Sequence, residues 1–287
     1  MDGRESEPKE SDELVIHLVI GDTQVKPGVP VDHMEWIGKY IVEQQPDVIV
    51  HLGDHSDMPS LSSYDKGKIS MEGRRVNEDI DSANDAFSLL NQPITEYNLR
   101  QRISKHKQYN PRKVITKGNH EYRITRHVEA NPELHGFLSE DTLNYKEHGW
   151  ETHPYLDIVE IDGIHYSHHF VVPMTGRAIA GMMETRLKNI GFSFTHGHQQ
   201  GKKTGERYLN NGVMHRGLVL GSTYLHDEDY LGSQANHYWR GIVVKHEVRD
   251  GNYDLMEVSL DFLCRKYEQM PLDKFMMEKH NIEWKHA

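Results

Sequence analysis

Five short polar clusters in the chain each follow a run of apolar residues, and their side chains suit metal chemistry. The clusters are Asp22-Thr23-Gln24, Asp54-His55-Ser56-Asp57, Asn119-His120-Glu121, His168-His169 and His196-Gly197-His198-Gln199-Gln200. Carboxylate, amide and imidazole groups offer the oxygen and nitrogen donors that bind divalent cations. Two such cations, held roughly 3.5–4 Å apart, can stabilise the attacking and leaving oxygens of a phosphoryl transfer. The clusters therefore predict a two-metal site for phosphoryl-transfer chemistry.

The cysteine and histidine contents favour a metal site built from nitrogen and oxygen ligands. Cys264 is the single cysteine in 287 residues, which excludes a disulfide framework and a cysteine-built zinc site. Histidine, by contrast, occurs 21 times. The net charge of −11 argues against a protein that coats nucleic acid indiscriminately, because such binding needs Lys and Arg to neutralise phosphates.

Length and composition predict a soluble globular protein with one large domain or two small ones. Hydrophobic residues make up 36% of the chain and charged residues 27%. Apolar runs such as Leu18-Val19-Ile20 are far shorter than the roughly 18–20 residues of a membrane span, so no membrane partner is expected. The first residues are acidic and polar, unlike a secretory signal, and a cytoplasmic location is expected.

Short β-branched runs that alternate with helical stretches must position the clusters. Leu14–Ile20, Asp47–Leu52 and Lys113–Thr116 are predicted strands, and Val31–Gln45 is a predicted helix that ends before Pro46. A strand, helix and strand of these lengths form a βαβ unit with parallel strands. Ligands bind at the carboxyl ends of strands in such sheets, so the five clusters are expected to converge.

The second half of the chain predicts further strands and therefore at least two sheets in an α/β fold. The predicted strands are Leu156–Ile161, Ile164–Ser167, Phe192–Thr195, Met214–Leu220, Ile242–Val248 and Tyr253–Leu260, with a helix at Arg177–Ile190. Asp250-Gly251 predicts a two-residue hairpin turn. Residues 1–13 are predicted to be a disordered acidic tail. Residues 58–112, with a helix at Asn77–Lys107, are interpreted as a helical insertion or lid, and residues 265–287 as an amphipathic C-terminal extension.

The order and spacing of the clusters resemble the calcineurin-like metallophosphoesterase superfamily. Its motifs are D-x-H, G-D-x-x-D, G-N-H-D/E, a strand-end histidine and G-H-x-H, and the resemblance covers the chain from about Leu14 to Gln200. The resemblance implies two mixed β-sheets in a sandwich flanked by helices, a four-layer domain over residues 14–264. It also implies an enzyme that hydrolyses phosphate esters with a metal-activated water.

The resemblance implies a role for each cluster residue. Asp22 matches a ligand of the first metal, Asp54 the ligand that bridges both metals, and Asn119, His168 and His198 the ligands of the second metal. Catalytic roles fall on Asp54 and on His120, which would stabilise the phosphate or protonate the leaving group. Asp57, Glu121, His169 and His196 match positions that orient the ligands. His169 is the alternative to His168 as the strand-end ligand, and His196 is the alternative to His198.

Two departures from the family pattern affect the same metal. Gln24 and Gln200 stand where the family has histidines that bind the first metal. If both glutamines coordinate through their carbonyl oxygens, the first metal has an all-oxygen shell, which favours Mn²⁺, Mg²⁺ or Ca²⁺. The alternative is that both are spectators and that water completes the shell. Two divalent ions are expected, Mn²⁺ first and Mg²⁺, Fe²⁺, Ni²⁺ or Zn²⁺ as alternatives, with tighter binding at the second site.

The charge around the third cluster suggests a polyanionic substrate. Residues 100–127 contain nine Lys and Arg against one acid, Glu121, a local charge of +8. A basic surface beside the metals favours DNA, RNA or a nucleotide, and Arg123 and Arg126 are the predicted substrate-binding residues. A phosphodiesterase that acts on nucleic acid, as a nuclease, or on nucleotides is thus the leading interpretation. The alternatives are a phosphomonoesterase, a non-catalytic relative with a degraded first metal site, and a simple solvated helix face for the basic run.

Overall fold

The computed structural model describes residues 15–228, 232 and 236–286. The predicted acidic tail at residues 1–13 and the first residue of the first predicted strand, Leu14, lie outside the described residues. None of the helices in the described ranges combines the length and apolarity that a membrane crossing requires.

The chain alternates strands and helices in its first half and is rich in strands in its second half. The strands are β1 (Val15–Ile20), β2 (Val48–His51), β3 (Arg112–Thr116), β4 (Glu151–His153), β5 (Val159–Ile161), β6 (Ile164–Ser167), β7 (Phe194–His196), β8 (Lys202–Tyr208), β9 (Met214–Leu220), β10 (Gly241–Arg249) and β11 (Asn252–Ser259). The helices are α1 (Asp32–Gln44), α2 (Val76–Ile103), α3 (Tyr122–Ala130), α4 (Met183–Ile190), α5 (Leu260–Glu268) and α6 (Leu272–His280).

The strands form two mixed sheets, as predicted. The first sheet has the order β11-β10-β1-β2-β3-β4, in which β1 to β4 are parallel and β10 and β11 are antiparallel. The second sheet has the order β5-β6-β7-β9-β8, with β6, β7 and β9 parallel and the two outer strands antiparallel.

Alternating side chains of each sheet build three hydrophobic clusters and therefore four layers. Along β1, Leu18 and Ile20 pack against the helices, whereas Val19 faces the second sheet, because successive side chains of a strand point to opposite faces. Val19 shares the cluster between the sheets with Tyr166 of β6. The helices α1, α2, α5 and α6 cover the first sheet, and α4 covers the second through Leu187.

Two predicted segments are more closely joined to the domain than the sequence indicated. Phe87 and Leu90 of α2 lie in the main core beside α1, so this part of residues 58–112 is a core layer rather than a lid. The predicted boundary at residue 264 falls inside α5. Beyond it, Phe275 and Met276 of α6 are buried in the same core, because α6 packs its apolar face against the α1 layer.

Candidate metal centre

The five polar clusters meet at one end of the two sheets. Asp22 and Gln24 follow β1, Asp54 follows β2, and Asn119 follows β3, three parallel neighbours of the first sheet. His168 and His198 follow β6 and β7, which are parallel neighbours in the second sheet. The site therefore takes its residues from both sheets.

Asp54 lies at the centre of this arrangement. Its Oδ1 accepts a hydrogen bond from the backbone N–H of His120 (2.9 Å), and its Oδ2 lies 3.2 Å from Nε2 of His168. The backbone of Asp54 is left-handed (φ 47°), and Gly118 lies so close that a Cβ there would collide with Oδ1. Burial would raise the pKa of Asp54, but His120 and His168 outweigh it and hold this pKa below its ordinary value.

His168 is oriented as a metal-ligating imidazole. Its Nδ1 donates a hydrogen bond to the carbonyl oxygen of Leu52 (2.8 Å), which leaves Nε2 directed at Asp54 and at Oδ1 of Asn119 (3.1 Å). Burial opposes the charged imidazole, but Asp54 and Asp22 together raise the pKa of His168 to about 9. Without a cation, Nε2 therefore carries a proton, which a bound cation displaces.

Asp22 offers an oxygen without a partner. Its Oδ1 accepts a hydrogen bond from the backbone N–H of His198 (3.1 Å), whereas its Oδ2 is buried and has no hydrogen-bond partner. A Cβ at Gly197 would collide with Oδ1, so the chain leaves room for this carboxylate. Burial raises the pKa of Asp22 well above its ordinary value, and Asp54 adds to the shift. A cation at Oδ2 would instead favour the ionised carboxylate and lower this pKa.

The two glutamines that replace family histidines have different surroundings. Oε1 of Gln24 is buried without a hydrogen-bond partner, as is Oδ2 of Asp22 two residues earlier in the same turn. Oε1 of Gln200 accepts hydrogen bonds from the hydroxyls of Ser222 (2.7 Å) and Tyr224 (2.8 Å). A carbonyl oxygen has two lone pairs, and both are in use at Gln200. Gln24 fits a metal ligand in this arrangement, whereas Gln200 does not.

Two overlapping groups of side chains can each hold a cation. One atom from each of Asp22, Asp54 and His168 lies within 4.8 Å of the others, and the same holds for His168, His169 and His198. The first group is rich in oxygen and the second in imidazole nitrogen. Nδ1 of His169 is buried without a hydrogen-bond partner, and its ring stacks on His198 at 4.4 Å. The orphaned atoms and the donor sets thus fit two divalent cations.

His120 lies beside the centre, in contact with an acidic and a basic side chain. Its Nδ1 lies 2.7 Å from Oδ1 of Asp57, and its Nε2 lies 3.2 Å from Nη2 of Arg123. Burial opposes a charge on His120, but Asp54 and Asp57 raise its pKa above the ordinary value. Asp57 also pairs with Lys26 (3.3 Å), which keeps its carboxylate in place.

Glu121 ties together the turns that follow β2 and β3. Its Oε2 accepts hydrogen bonds from the backbone N–H groups of Asp54 (3.0 Å) and Gly118 (2.8 Å). Its Oε1 accepts from those of His55 (2.6 Å) and Ser56 (3.2 Å) and from the Tyr145 hydroxyl (3.2 Å). One buried carboxylate thus fixes the backbone on which Asp54 and Asn119 are presented.

Comparison with known proteins agrees with this geometry. The family model of the calcineurin-like phosphoesterases matches residues 17–266. The chain belongs to the calcineurin-like phosphoesterase family. No curated protein matches the sequence. A solved crystal structure is similar at 11% identity over 86% of this chain and 99% of its own, with a TM-score of 0.33, a likeness too weak to carry an argument.

Membership of the calcineurin-like phosphoesterase family supports metal-dependent hydrolysis of phosphate esters. This family uses two metal ions, and the two overlapping ligand groups around His168 fit that number. The resemblance inferred from the sequence is thereby confirmed at the level of family and fold. The metal's identity and the individual residue roles stay predictions.

His196, predicted to orient a ligand of this phosphoesterase centre, points elsewhere. Its Nε2 lies 3.3 Å from Nη1 of the buried Arg186, and its ring stacks on Phe194 at 5.7 Å. The reason is the period of β7: residues 194 and 196 share the face that packs against α4. His198 lies beyond the end of the strand, in a left-handed conformation (φ 64°), and reaches the centre instead.

The predicted basic surface divides between the two ends of β3. Six of the nine basic residues belong to residues 100–113, which precede β3 or begin it, whereas the phosphoesterase centre lies at its carboxyl end. At that end, Lys117 pairs with Glu140 and Arg123 pairs with Asp57 (3.3 Å). Arg126 is exposed on α3. A strand of five residues is roughly 16 Å long, so the local charge of +8 does not form one surface.

Several residues of the centre were not among those predicted from the sequence. Lys26 bridges Asp57 and Glu228, with Nζ 2.9 Å from Oε1 of Glu228. Ser222 and Tyr224 hold Gln200. Ser222 and Tyr224 could have been identified from the sequence, because they follow the end of a predicted strand, β9, as the other clusters follow theirs. In the structure β9 is parallel to β7. Lys26 could not have been identified in this way, since its partners are distant in sequence.

Proposed function

We propose that this chain is a phosphodiesterase that acts on nucleotides or nucleic acid, with Mn²⁺ as its preferred cation. The observation that supports it best is the position of Asp54, whose carboxylate is within 3.2 Å of His168 and accepts a hydrogen bond from His120. A buried carboxylate that belongs to the oxygen-rich group and contacts His168, the residue common to both groups, suits a ligand that bridges two cations.

We assign the ligands from the geometry of the centre. Asp22, Gln24 and Asp54 would hold the first cation, and Asp54, Asn119, His168 and His198 would hold the second. His168 supports this division, because it groups with Asp22 and Asp54 on one side and with His198 on the other, and its Nε2 is 3.1 Å from Oδ1 of Asn119. His169, the third member of the imidazole group, would remain the alternative ligand of the second cation. When bound, the pair supplies positive charge to the phosphoryl group and lowers the pKa of water. Gln200 would act through Ser222 and Tyr224 by fixing the turn after β7.

His120 supplies the proton for the leaving oxygen in this proposal. Oδ1 of Asp57 lies 2.7 Å from Nδ1 and pairs with the ring on that side, so Nε2 is the nitrogen that would serve the reacting group. Asp54 and Asp57 favour the protonated imidazole, the form that a general acid requires. Arg123, whose Nη2 is 3.2 Å from Nε2, is placed to donate a hydrogen bond to a phosphoryl oxygen there, although Asp57 balances its charge.

The limited positive charge at the rim supports a diester over a monoester. Lys117 and Arg123 already pair with Glu140 and Asp57, so little uncompensated positive charge faces the substrate. A diester carries one negative charge near neutral pH, whereas a monoester carries about 1.5 to 2. The ion pair between His120 and Asp57 favours an enzyme over a non-catalytic binding protein, because it prepares an acid that simple binding does not need.

The experiment compares hydrolysis of bis-p-nitrophenyl phosphate with that of p-nitrophenyl phosphate in Mn²⁺, Mg²⁺, Ni²⁺ or EDTA. We expect Mn²⁺-dependent cleavage with a preference for the diester. Asp54→Asn should lower kcat/KM by a factor on the order of 10² or more, while Asp81→Asn, an exposed site on α2, should not change it. Preference for the monoester would refute the diesterase assignment. Inactivity with every metal would refute the proposal that the chain is an enzyme.

A further inference from the structure

A column of tyrosine rings leads outward from the metal-binding histidines. The ring of Tyr155 lies 5.5 Å from that of His169 and 6.5 Å from that of His168. The ring of Tyr122, at the start of α3, stacks on that of Tyr155, with 5.1 Å between the ring centroids and an angle of 26° between the planes. Both tyrosines are half-buried. The column therefore connects the centre with the solvent.

The segments next to this column carry an exposed aromatic ring, Tyr64, and an exposed arginine, Arg126. Tyr64, in the segment between β2 and α2, is 82% exposed. Burial raises the pKa of Tyr155, Asp54, Tyr122 and Tyr64 add to the rise, and Arg126 lowers it, so Tyr64 and Arg126 both act electrostatically on Tyr155. Arg126 is four residues after Tyr122 in α3, which puts both on one face of the helix.

Stacked aromatic rings next to arginine form the combination that binds unpaired nucleobases. Each base offers a flat face to an aromatic side chain, while arginine contacts the phosphate through a charge-assisted hydrogen bond. A base pair within a duplex has both faces covered by its neighbours. The rings are placed beside the histidines that would hold the cations, so a nucleotide whose phosphate lies at the centre can reach them with its own base.

We propose that Tyr64, Tyr122 and Tyr155 form a stacking surface for the nucleobase adjacent to the scissile phosphate, with Arg126 contacting a neighbouring phosphate. This inference rests on the proposed function and deepens it: the substrate is a nucleotide or a single-stranded nucleic acid with an unpaired base. Simple phosphodiesters without a base gain nothing from the surface.

Calorimetric binding in the presence of Mn²⁺ tests the stacking surface without requiring turnover. Thymidine 5′-monophosphate and methyl phosphate are compared on the full chain and on Tyr64→Ala, Tyr122→Ala and Tyr64→Phe. The matched control is Tyr208→Ala, because Tyr208 is 71% exposed at the end of β8 that is remote from the centre. Unfolding midpoints equal to that of the unsubstituted chain exclude loss of folding.

We expect the base to strengthen binding about tenfold over methyl phosphate, and each alanine variant to lose about tenfold for the nucleotide alone. Tyr64→Phe and Tyr208→Ala should bind like the unsubstituted chain. Equal affinity for the two ligands, or equal losses on both ligands in the alanine variants, overturns the proposal. A surface that serves a protein partner instead would give the first of these results.

Two further measurements separate the sources of the base and the two proposals. If a thymidine tetranucleotide binds more tightly than the mononucleotide, with the same dependence on the tyrosines, the substrate is single-stranded nucleic acid. If the two bind equally, the substrate is a nucleotide. Either result supports the stacking surface. Hydrolysis of methyl p-nitrophenyl phosphate by the unsubstituted chain tests the proposed function alone. If the chain cleaves this ester but binds thymidine 5′-monophosphate and methyl phosphate equally, the stacking surface is rejected and the phosphodiesterase activity is retained.

Discussion

Replacing Glu121 by glutamine should destabilise the fold strongly, although the two side chains have nearly the same shape. The carboxylate of Glu121 accepts hydrogen bonds at both oxygens and has no exposed surface. Glutamine keeps one accepting oxygen and puts an NH₂ group, a donor, in the place of the other. That group would face backbone N–H donors, with which it cannot form a hydrogen bond.

The cost follows from the number of donors that lose their partner. The less costly orientation of the amide replaces Oε2 and leaves two N–H groups, those of Asp54 and Gly118, without an acceptor. The other orientation leaves three donors, since Oε1 accepts from His55, Ser56 and Tyr145. Each buried donor without an acceptor costs about 1–3 kcal/mol. Two of them give about 2–6 kcal/mol, a large fraction of the about 5–15 kcal/mol that stabilises a typical domain.

Urea unfolding of the metal-free chain, followed by circular dichroism, measures this free energy. Metal-free conditions separate the effect on folding from any effect on cation binding. The control is Glu129→Gln at an exposed position of α3, which should remain within about 0.5 kcal/mol of the unsubstituted chain. A loss of less than about 1 kcal/mol for Glu121→Gln would show that this carboxylate does not hold the two turns.

Three further predictions concern the glutamines and a buried lysine. Gln24→Ala should weaken Mn²⁺ binding in calorimetry by roughly tenfold or more and leave metal-free stability unchanged, because its Oε1 has no partner to lose; unaltered affinity would make Gln24 a spectator. Gln200→Ala should instead lower metal-free stability by about 1–3 kcal/mol in urea unfolding, since the Ser222 hydroxyl loses its acceptor while that of Tyr224 can still bond to the Tyr238 hydroxyl; an unchanged free energy would contradict this. Lys245 is buried between the sheets, where its Nζ donates to the hydroxyls of Thr195 (2.5 Å) and Tyr166 (3.3 Å), and burial lowers its pKa well below 10.5. The unfolded chain holds this proton more tightly than the folded chain, so the stability of the unsubstituted chain relative to Lys245→Met should fall as the pH is lowered below the ordinary pKa of lysine, and a difference independent of pH would mean that the amine stays charged.

The strands that carry the centre could be predicted because they are buried on both faces. Runs such as Val15–Ile20 and Val48–His51 are nearly continuous in apolar residues, and each is followed by a polar cluster. By contrast, β8 (Lys202–Tyr208) is a polar edge strand whose composition gives no such signal. The helix predicted at Arg177–Ile190 begins only at Met183, since Gly181 before it is left-handed (φ 99°).

The sequence predicted which residues form the centre better than it predicted how their side chains are oriented. The order of the motifs brought Asp22, Asp54, Asn119, His168 and His198 to one place without structural information. The sequence could not show that Gln200 is bound by Ser222 and Tyr224, because those contacts join separate strand ends. Nor could it show that residues 100–113 lie at the opposite end of β3 from the centre, since closeness in sequence does not tell which end of a strand a charge occupies.

The division of the centre between two sheets links metal supply to the survival of the protein. Asp22, Asp54 and Asn119 extend from the first sheet, and His168 and His198 from the second. A cation bound between them fastens one sheet to the other at an edge of the sandwich. At a free concentration of 100 times Kd, each occupied site contributes about 2.7 kcal/mol against unfolding. Cells starved of the metal would therefore hold a protein that unfolds more readily and is degraded faster, in addition to one that has lost its catalyst.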